Sequence, residues 1–252
     1  MVKILSFDVG IINLAYCIFD TTNQKIEKWE VITLGCKFNA KISCSGIPDL
    51  YINLIKELDT RTHLLDVDVV VIEKQPSFNP KMRIIAGCLQ TYFYIRGVID
   101  KTQHSIKSVE FFSPKNKLKC YSGPEIVITS GNGREIKSKY SRTKKTGIII
   151  CRLKLHEYSE TEFINFFEKS SKKDDLADCY LQAITYGLSK KLLKITVSEL
   201  PAQIKLLTKA EIRKQVKEIK NDDIPETLQY NLEKKFNIVF PKLLDEIKCL
   251  IK

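Results

Sequence analysis

Four carboxylates in this sequence stand where chemistry would need them. Asp8 closes the apolar run VKILSFD, Glu73 closes VDVVVIE, and Asp175 and Asp178 lie three residues apart in DDLAD. A carboxylate ending a nearly all-apolar strand is unfavourably placed unless it is paired or functional. Adjacent parallel strands deliver their C-terminal ends to one sheet edge, where ligands bind, so Asp8 and Glu73 are predicted neighbours. Residues at i and i+3 share a helix face, and a helix packed across the sheet would bring Asp175 and Asp178 to the same edge. Converging carboxylates repel one another unless cations lie among them, and oxygen-only donors suit Mg2+ or Mn2+ rather than zinc. Two such ions about 4 Å apart can hold a phosphodiester, activate water and stabilise the leaving oxygen. Taken singly, Asp174 and Asp175 follow Lys172 and Lys173 at a helix start, where a cap or dipole partner is the simpler reading.

The elements that must position these groups follow from periodicity. VKILSFDV reads as a buried central strand, Gly10 allows a close turn, and LAYCIFD and KWEVITL (28–34) complete a three-strand meander. Asp49 is a possible N-cap ahead of LYINLIKEL, whose Leu50, Leu54, Ile55 and Leu58 share one helical face. VDVVVIE is the fourth strand, a helix is expected from Pro80 to Asp100, and SIKSVEFF is the fifth strand, closed by Ser113-Pro114. The order is βββαβαβ, followed by helices in KKTGIIICRLKLHE, ETEFINFFEKS and DDLADCYLQAITYGLSKKLL. Gly, Ser and Asn between about 121 and 141 mark an inserted loop or hairpin. Beyond about Ile195 the chain becomes Lys-rich and helical.

Charge narrows the chemistry further. The 252 residues carry a net charge of +11, yet residues 101–154 alone hold 13 basic and 3 acidic side chains, while 1–100 are balanced. So concentrated an excess points to a polyanion. With 44% apolar and 28% charged residues the composition is that of a globular protein, and no run approaches the ~20 apolar residues of a membrane span. The opening MVKILSFDVG carries no export or organelle leader, so a cytoplasmic, membrane-free protein is expected. Eight cysteines without a C-x-x-C pair read as free thiols in a reducing compartment. His63, His104 and His156 lie outside the acidic motifs and are not expected to act as bases.

FDVGIINLAYCIFD, VVVIEKQP, FFSPKNKLK and KKDDLADCYLQAITYG together resemble the RuvC-like Holliday junction resolvases of the ribonuclease H superfamily, most closely those of poxviruses and related large DNA viruses. The resemblance covers about residues 1–190. It implies an α/β, ribonuclease H-like mixed five-stranded sheet flanked by helices, with 191–252 as a helical C-terminal extension. Asp8, Glu73, Asp175 and Asp178 would be the catalytic metal ligands for Mg2+, with Mn2+ able to substitute and two ions per site, while Asp174 stands by. A family lysine at the start of the helix before the last motif falls on Lys145, with Lys144 its near competitor. Lys115, Lys117, Lys119, Lys144 and Gln75 would meet DNA. The implied activity is paired nicking of four-way DNA junctions to give 5′-phosphate ends, in the host-cell cytoplasm and without a small-molecule cofactor.

Three rival classes share parts of this pattern. An actin-like or sugar-kinase fold uses a D-x-G turn, but its second phosphate loop is missing and it needs a longer chain. A non-catalytic DNA-binding module would leave four intact carboxylates incidental. A nuclease for RNA–DNA hybrids or replication flaps uses the same acidic chemistry and differs only in substrate. Because a junction needs two opposed incisions, a symmetric homodimer is expected. The apolar segment Ile84–Val98 is either its interface helix or a buried core helix.

Overall fold

The computed structural model describes residues 2–34, 47–101, 105–123, 126, 128, 138–193, 209–218, 228 and 232. Strand β1 (Lys3–Asp8) occupies the centre of the sheet, with Ile4, Leu5, Ser6 and Phe7 fully buried and only its two charged ends partly exposed. It pairs antiparallel with β2 (Asn13–Asp20) and parallel with β4 (Val69–Glu73). Strand β3 (Lys25–Thr33) continues the meander beyond β2, and β5 (Ser108–Phe112) runs parallel to β4. The order is β3-β2-β1-β4-β5, a mixed five-stranded sheet flanked by helices, as expected. A Cβ at Gly10 would lie 2.2 Å from the Asn13 carbonyl oxygen, so only glycine fits the turn joining β1 to β2.

Side-chain alternation divides the sheet. Leu5, Phe7, Tyr16, Val70 and Ile72 face a core shared with α1 (Ile47–Asp59) and α2 (Pro80–Phe93). Each fully buried Leu, Ile or Phe there contributes roughly 1.5–3 kcal/mol. On the opposite face lie α3 (Lys139–Glu157), α4 (Thr161–Lys169) and α5 (Lys173–Ser189). Helix α5 is buried along Leu176, Ala177 and Cys179–Gly187, which is why its apolar residues surround the helix instead of forming one stripe. The Gln182 amide fixes its register by donating to Ser6 Oγ at 3.0 Å and to the Phe7 carbonyl at 3.1 Å.

Several boundaries differ from the sequence reading. Helix α1 starts at Ile47, which places Asp49 inside its first turn and not at the N-cap. The helix expected to reach Asp100 changes at Tyr94 into a π-helical segment, Tyr94–Ile99. Pro114–Cys120, which carries the lysines expected to meet DNA, is a 3₁₀ segment. Cys17, Cys88, Cys120, Cys151 and Cys179 are free thiols, all but Cys88 buried. No helix among the described residues is long and apolar enough to cross a membrane.

The chain divides into two compact units, one made of residues 1–122 and 137–196, the other of 123–136 and 197–252. Of the excursion expected near 121–141, residues 123–136 share a unit with the C-terminal extension, while 139–141 already belong to α3 in the first unit. Within that unit α6 (Lys209–Glu218) buries Ile212 and Val216, one helical turn apart, and Ile128, Leu228 and Leu232 are buried as well. The hairpin flanks and most of the tail lie outside the described residues.

One polar network closes the first unit under β2. The buried Tyr16 hydroxyl donates to Glu30 at 2.8 Å, and Arg61 bonds Glu30 at 2.8 Å and Glu57 at 2.6 Å. Burial would raise the Glu30 carboxyl, but Arg61 and Tyr16 hold it below its ordinary value of 4.5. A depressed carboxyl stabilises the fold above its unfolded pKa and loses that contribution as pH falls through its folded one. Glu30→Gln is therefore expected to cost up to about 1 kcal/mol near pH 7, after allowance for solvent screening. Urea midpoints of the two proteins should converge as the pH drops below 4.5.

Candidate active site

The C-terminal ends of β1 and β4 open into a cleft of about 830 Å3 lined by Asp8, Glu73, Asp175 and Asp178. Phe7 pairs with Ile72, so Asp8 and Glu73 are the next residues on adjacent parallel strands, pointing away from the α1–α2 core. Asp178 lies one turn before Gln182, and the anchor of Gln182 on β1 sets it above Asp8. Asp175, one turn earlier again, reaches the cleft from the start of α5.

Lys117 stands among these carboxylates. Its ammonium is 2.5 Å from Asp178 Oδ2 and 3.4 Å from Glu73 Oε1, with its side chain only 11% exposed. The backbone of the 3₁₀ segment holds it there: Thr185 Oγ1 and Cys120 Sγ both donate to the Lys117 carbonyl, at 2.9 and 3.3 Å. Burial would lower the Lys117 pKa, but Asp178, Glu73 and Asp8 outweigh it and raise it. The Asp8 carboxyl is pushed well up by burial, then by repulsion from Glu73 and Asp178, with Lys117 opposing. Burial also raises Asp178 against the pull of Lys117, and burial followed by Asp174 raises Asp175.

Lys117, and Lys172 at 3.9 Å from Asp175, do not balance four carboxylates in the cleft, so the site retains a demand for positive charge. The donors are all carboxylate oxygens, the chemistry that hard divalent cations select. Among the described residues, no three His, Cys, Asp or Glu side chains converge on a single ion position, and two of the four carboxylates, Glu73 and Asp178, contact Lys117.

The remaining expected site residues separate clearly. Lys144 lines the cleft, bonded to Asp174 and with its ammonium 5.3 Å from the centre of the Tyr140 ring. Burial opposes its charge, yet Asp174 raises its pKa, while Lys144 holds Asp174 below the usual range against burial. Lys145 is exposed and does not line the cleft. The helix period accounts for the difference, since Lys144 is one turn from Gly147, a Cβ on which would touch Asp178, whereas Lys145 points elsewhere. Lys115 lines the cleft from an exposed position, and Lys119 is exposed outside it. Gln75 is buried and donates to Glu73 Oε2 at 2.9 Å. Of the histidines, His63 bonds Tyr16 at 3.0 Å, His156 is exposed away from the cleft, and His104 lies outside the described residues.

The position of Lys117 inside the acidic cluster, and the parts played by Gln182 and Thr185, went unread in the sequence. A Gln one turn beyond the D-x-x-D pair on a buried helix was the available signal for the first. Nothing in KNKLK separates an inward lysine from its solvated neighbours.

Three solved structures align with about three quarters of the chain. The fowlpox virus resolvase, solved with Holliday junction DNA, is 23% identical over 76% of this chain and 99% of its own, with a TM-score of 0.47. The yeast mitochondrial Holliday junction resolvase Ydc2 is 19% identical over 75% and 80%, with a TM-score of 0.48. RuvC of Thermus thermophilus, solved with a Holliday junction substrate, is 12% identical over 76% and 96%, with a TM-score of 0.49. The uncharacterized protein L451 of Acanthamoeba polyphaga mimivirus is 41% identical over 143 residues, and the match spans 54% of this chain but only 34% of that relative. The model of the poxvirus A22 protein family matches residues 1–190, from β1 through α5 and the whole acidic cleft, and the chain belongs to that family.

Proposed function

We propose that the protein is a divalent-metal-dependent endonuclease that resolves four-way DNA junctions by paired nicks. The observation that carries this reading is the half-buried cluster of Asp8, Glu73, Asp175 and Asp178 in a cleft bordered by Lys115 and Lys144. Asp8, Glu73, Asp178 and Asp175 would hold Mg2+, or Mn2+ in its place, probing for two ions per site by titration. Bound there, the metal would supply Lewis-acid stabilisation of the phosphate and a more acidic water. The chain's own residues do the rest. Gln75 orients Glu73 by its hydrogen bond, and Gln182 and Thr185 fix the backbone beneath Asp178 and Lys117. Lys115 and Lys144 attract and align the phosphodiester, and Lys117 stands ready to meet charge growing on the scissile phosphate.

A junction demands two opposed cuts, and we assign α2 to the contact between two copies. Ile84, Cys88 and Thr91 follow one another along a single face of α2, with Ile84 41% exposed, and Ile95 in the π-helical segment that follows is 43% exposed. The host-cell cytoplasm is the proposed place of action, on the strength of the resemblance.

Incubating the protein with Mg2+ and synthetic junction, RNA–DNA hybrid and flap substrates tests the assignment. Symmetric junction nicks with ligatable 5′-phosphates support it, and preferential cutting of hybrids or flaps overturns it. Sedimentation of a monomer at micromolar concentration, with uncoupled single nicks, would reject the dimer. Lys144→Ala is expected to slow single-turnover cleavage by on the order of a hundredfold. Lys145→Ala should affect binding alone, seen as a shallower salt dependence by about one unit of log–log slope.

A further inference from the structure

A second cavity, of about 480 Å3, lies on the opposite face of the sheet from the acidic cleft. On β5, Glu110 and Phe112 contact Tyr186 of α5, so Phe111 points to the other side, toward α2. There it forms one wall of the cavity, 41% exposed on the edge strand. Arg83, Gly87 and Gln90, at i, i+4 and i+7 on α2, form the facing wall, and Lys74 and Gln75 close the end nearest Glu73. A Cβ on Gly87 would meet nothing within 4 Å, so the space between helix and Phe111 is open at its middle.

The lining has a definite chemistry. It holds two cations and two primary amides beside an aromatic face, and no carboxylate is among its residues. Cations suit a phosphate, an aromatic face suits a base, and amides pair a donor with an acceptor, as base edges require. Solvated Lys74 and Arg83 alone would not call for the aromatic ring or the second amide. One member touches catalytic geometry directly: Gln75, which lines this cavity, donates to Glu73 Oε2 at 2.9 Å, and Glu73 lines the other.

We propose that this cavity binds a single unstacked nucleotide, with its base on Phe111 and read by Gln90, and its phosphate on Lys74 and Arg83. Gln75 couples its occupancy to Glu73, so that the bound base tunes cleavage at the acidic cleft. The proposal rests on the nuclease reading for its consequence, and its ligand is either a nucleotide of the substrate strand or a free nucleoside monophosphate.

Two measurements separate these sources. Junctions randomised at the positions flanking the branch point are cut by wild type, Gln90→Ala and Phe111→Leu proteins, and the products are sequenced. Calorimetric titration with each of the four deoxynucleoside monophosphates is run on the same proteins without DNA. A strand nucleotide predicts a base preference in the wild type that falls by about tenfold in Gln90→Ala and in Phe111→Leu, with Arg83→Ala weakening binding of all sequences alike. Monophosphate binding that Phe111→Leu abolishes, with cutting free of base preference, supports the cavity as a nucleotide site and assigns it to free nucleotides. Junctions cut without preference and no monophosphate bound overturns the proposal while leaving the nuclease intact. Failure to cut junctions at all, with monophosphates still bound in a Phe111-dependent way, overturns the nuclease reading and leaves the nucleotide site standing.

Discussion

Junction cleavage by the Glu73→Gln protein is expected to fall by about a thousandfold or more, while junction affinity holds or rises. The amide keeps the shape of the side chain, and it still meets Gln75, but it removes a negative oxygen donor from a cleft whose other donors are Asp8, Asp175 and Asp178. Transition-state stabilisation by a bound metal is worth several kcal/mol, and each 1.4 kcal/mol is a factor of ten in rate. Binding moves the other way because removing negative charge beside a polyanion lowers repulsion. Asp8→Asn should behave alike. Single-turnover assays at saturating metal, paired with gel-shift titrations in its absence, check both halves. Activity within a fewfold of the parent would mean that the cluster is not the catalytic centre.

Lys117→Met is expected to separate two effects that the wild-type cleft combines. Without added metal the variant should be less stable by about 3–5 kcal/mol, the cost of leaving buried charge uncompensated when one partner of a buried pair is removed. Lys117 is the ammonium that Glu73 and Asp178 contact, at 3.4 and 2.5 Å. Divalent metal should restore much of this loss, since a ligand that binds only the folded state stabilises it by mass action. Thermal melts with and without Mg2+ read this directly, and the metal-induced rise in Tm should be larger in the variant than in the parent. Its cleavage rate should stay low even when the fold is rescued. Equal metal responses in the two proteins would show that Lys117 and the metal do not share the same carboxylates.

How much of this was legible in the sequence depends on which physical rule each residue obeys. Asp8 and Glu73 were visible because an apolar strand that ends in a charge breaks its own pattern, and the strand order places two such ends side by side. Asp175 and Asp178 were visible as a helical pair. Lys117 was hidden because a 3₁₀ turn has three residues per repeat, so Pro114, Lys117 and Cys120 share a face while Lys115 and Lys119 turn to solvent. A run of lysines carries no mark of that phase. The choice between Lys144 and Lys145 was hidden for a related reason. The apolar positions of KKTGIIICRLKLHE include three consecutive isoleucines, which leave the facing direction of α3 undefined until α5 packs against it. Lys145 was preferred from motif position, and only the packed helix shows Lys144 turned toward the carboxylates.

The second compact unit is assembled from two stretches, 123–136 and 197–252, separated by the three helices that complete the first. During synthesis the earlier stretch leaves the ribosome before α3 and must wait, without its counterpart, while α3, α4 and α5 are made. Bringing two stretches together costs closure entropy that grows slowly with the length of chain between them, and here that chain is the 60 residues of 137–196. A chain cut short after residue 196 would still contain every residue of the cleft, but would leave 123–136 without the 197–252 stretch that makes up most of its unit. In a growing polypeptide the connectivity therefore orders synthesis: every residue of the acidic cleft is made before the longer stretch of the second unit begins.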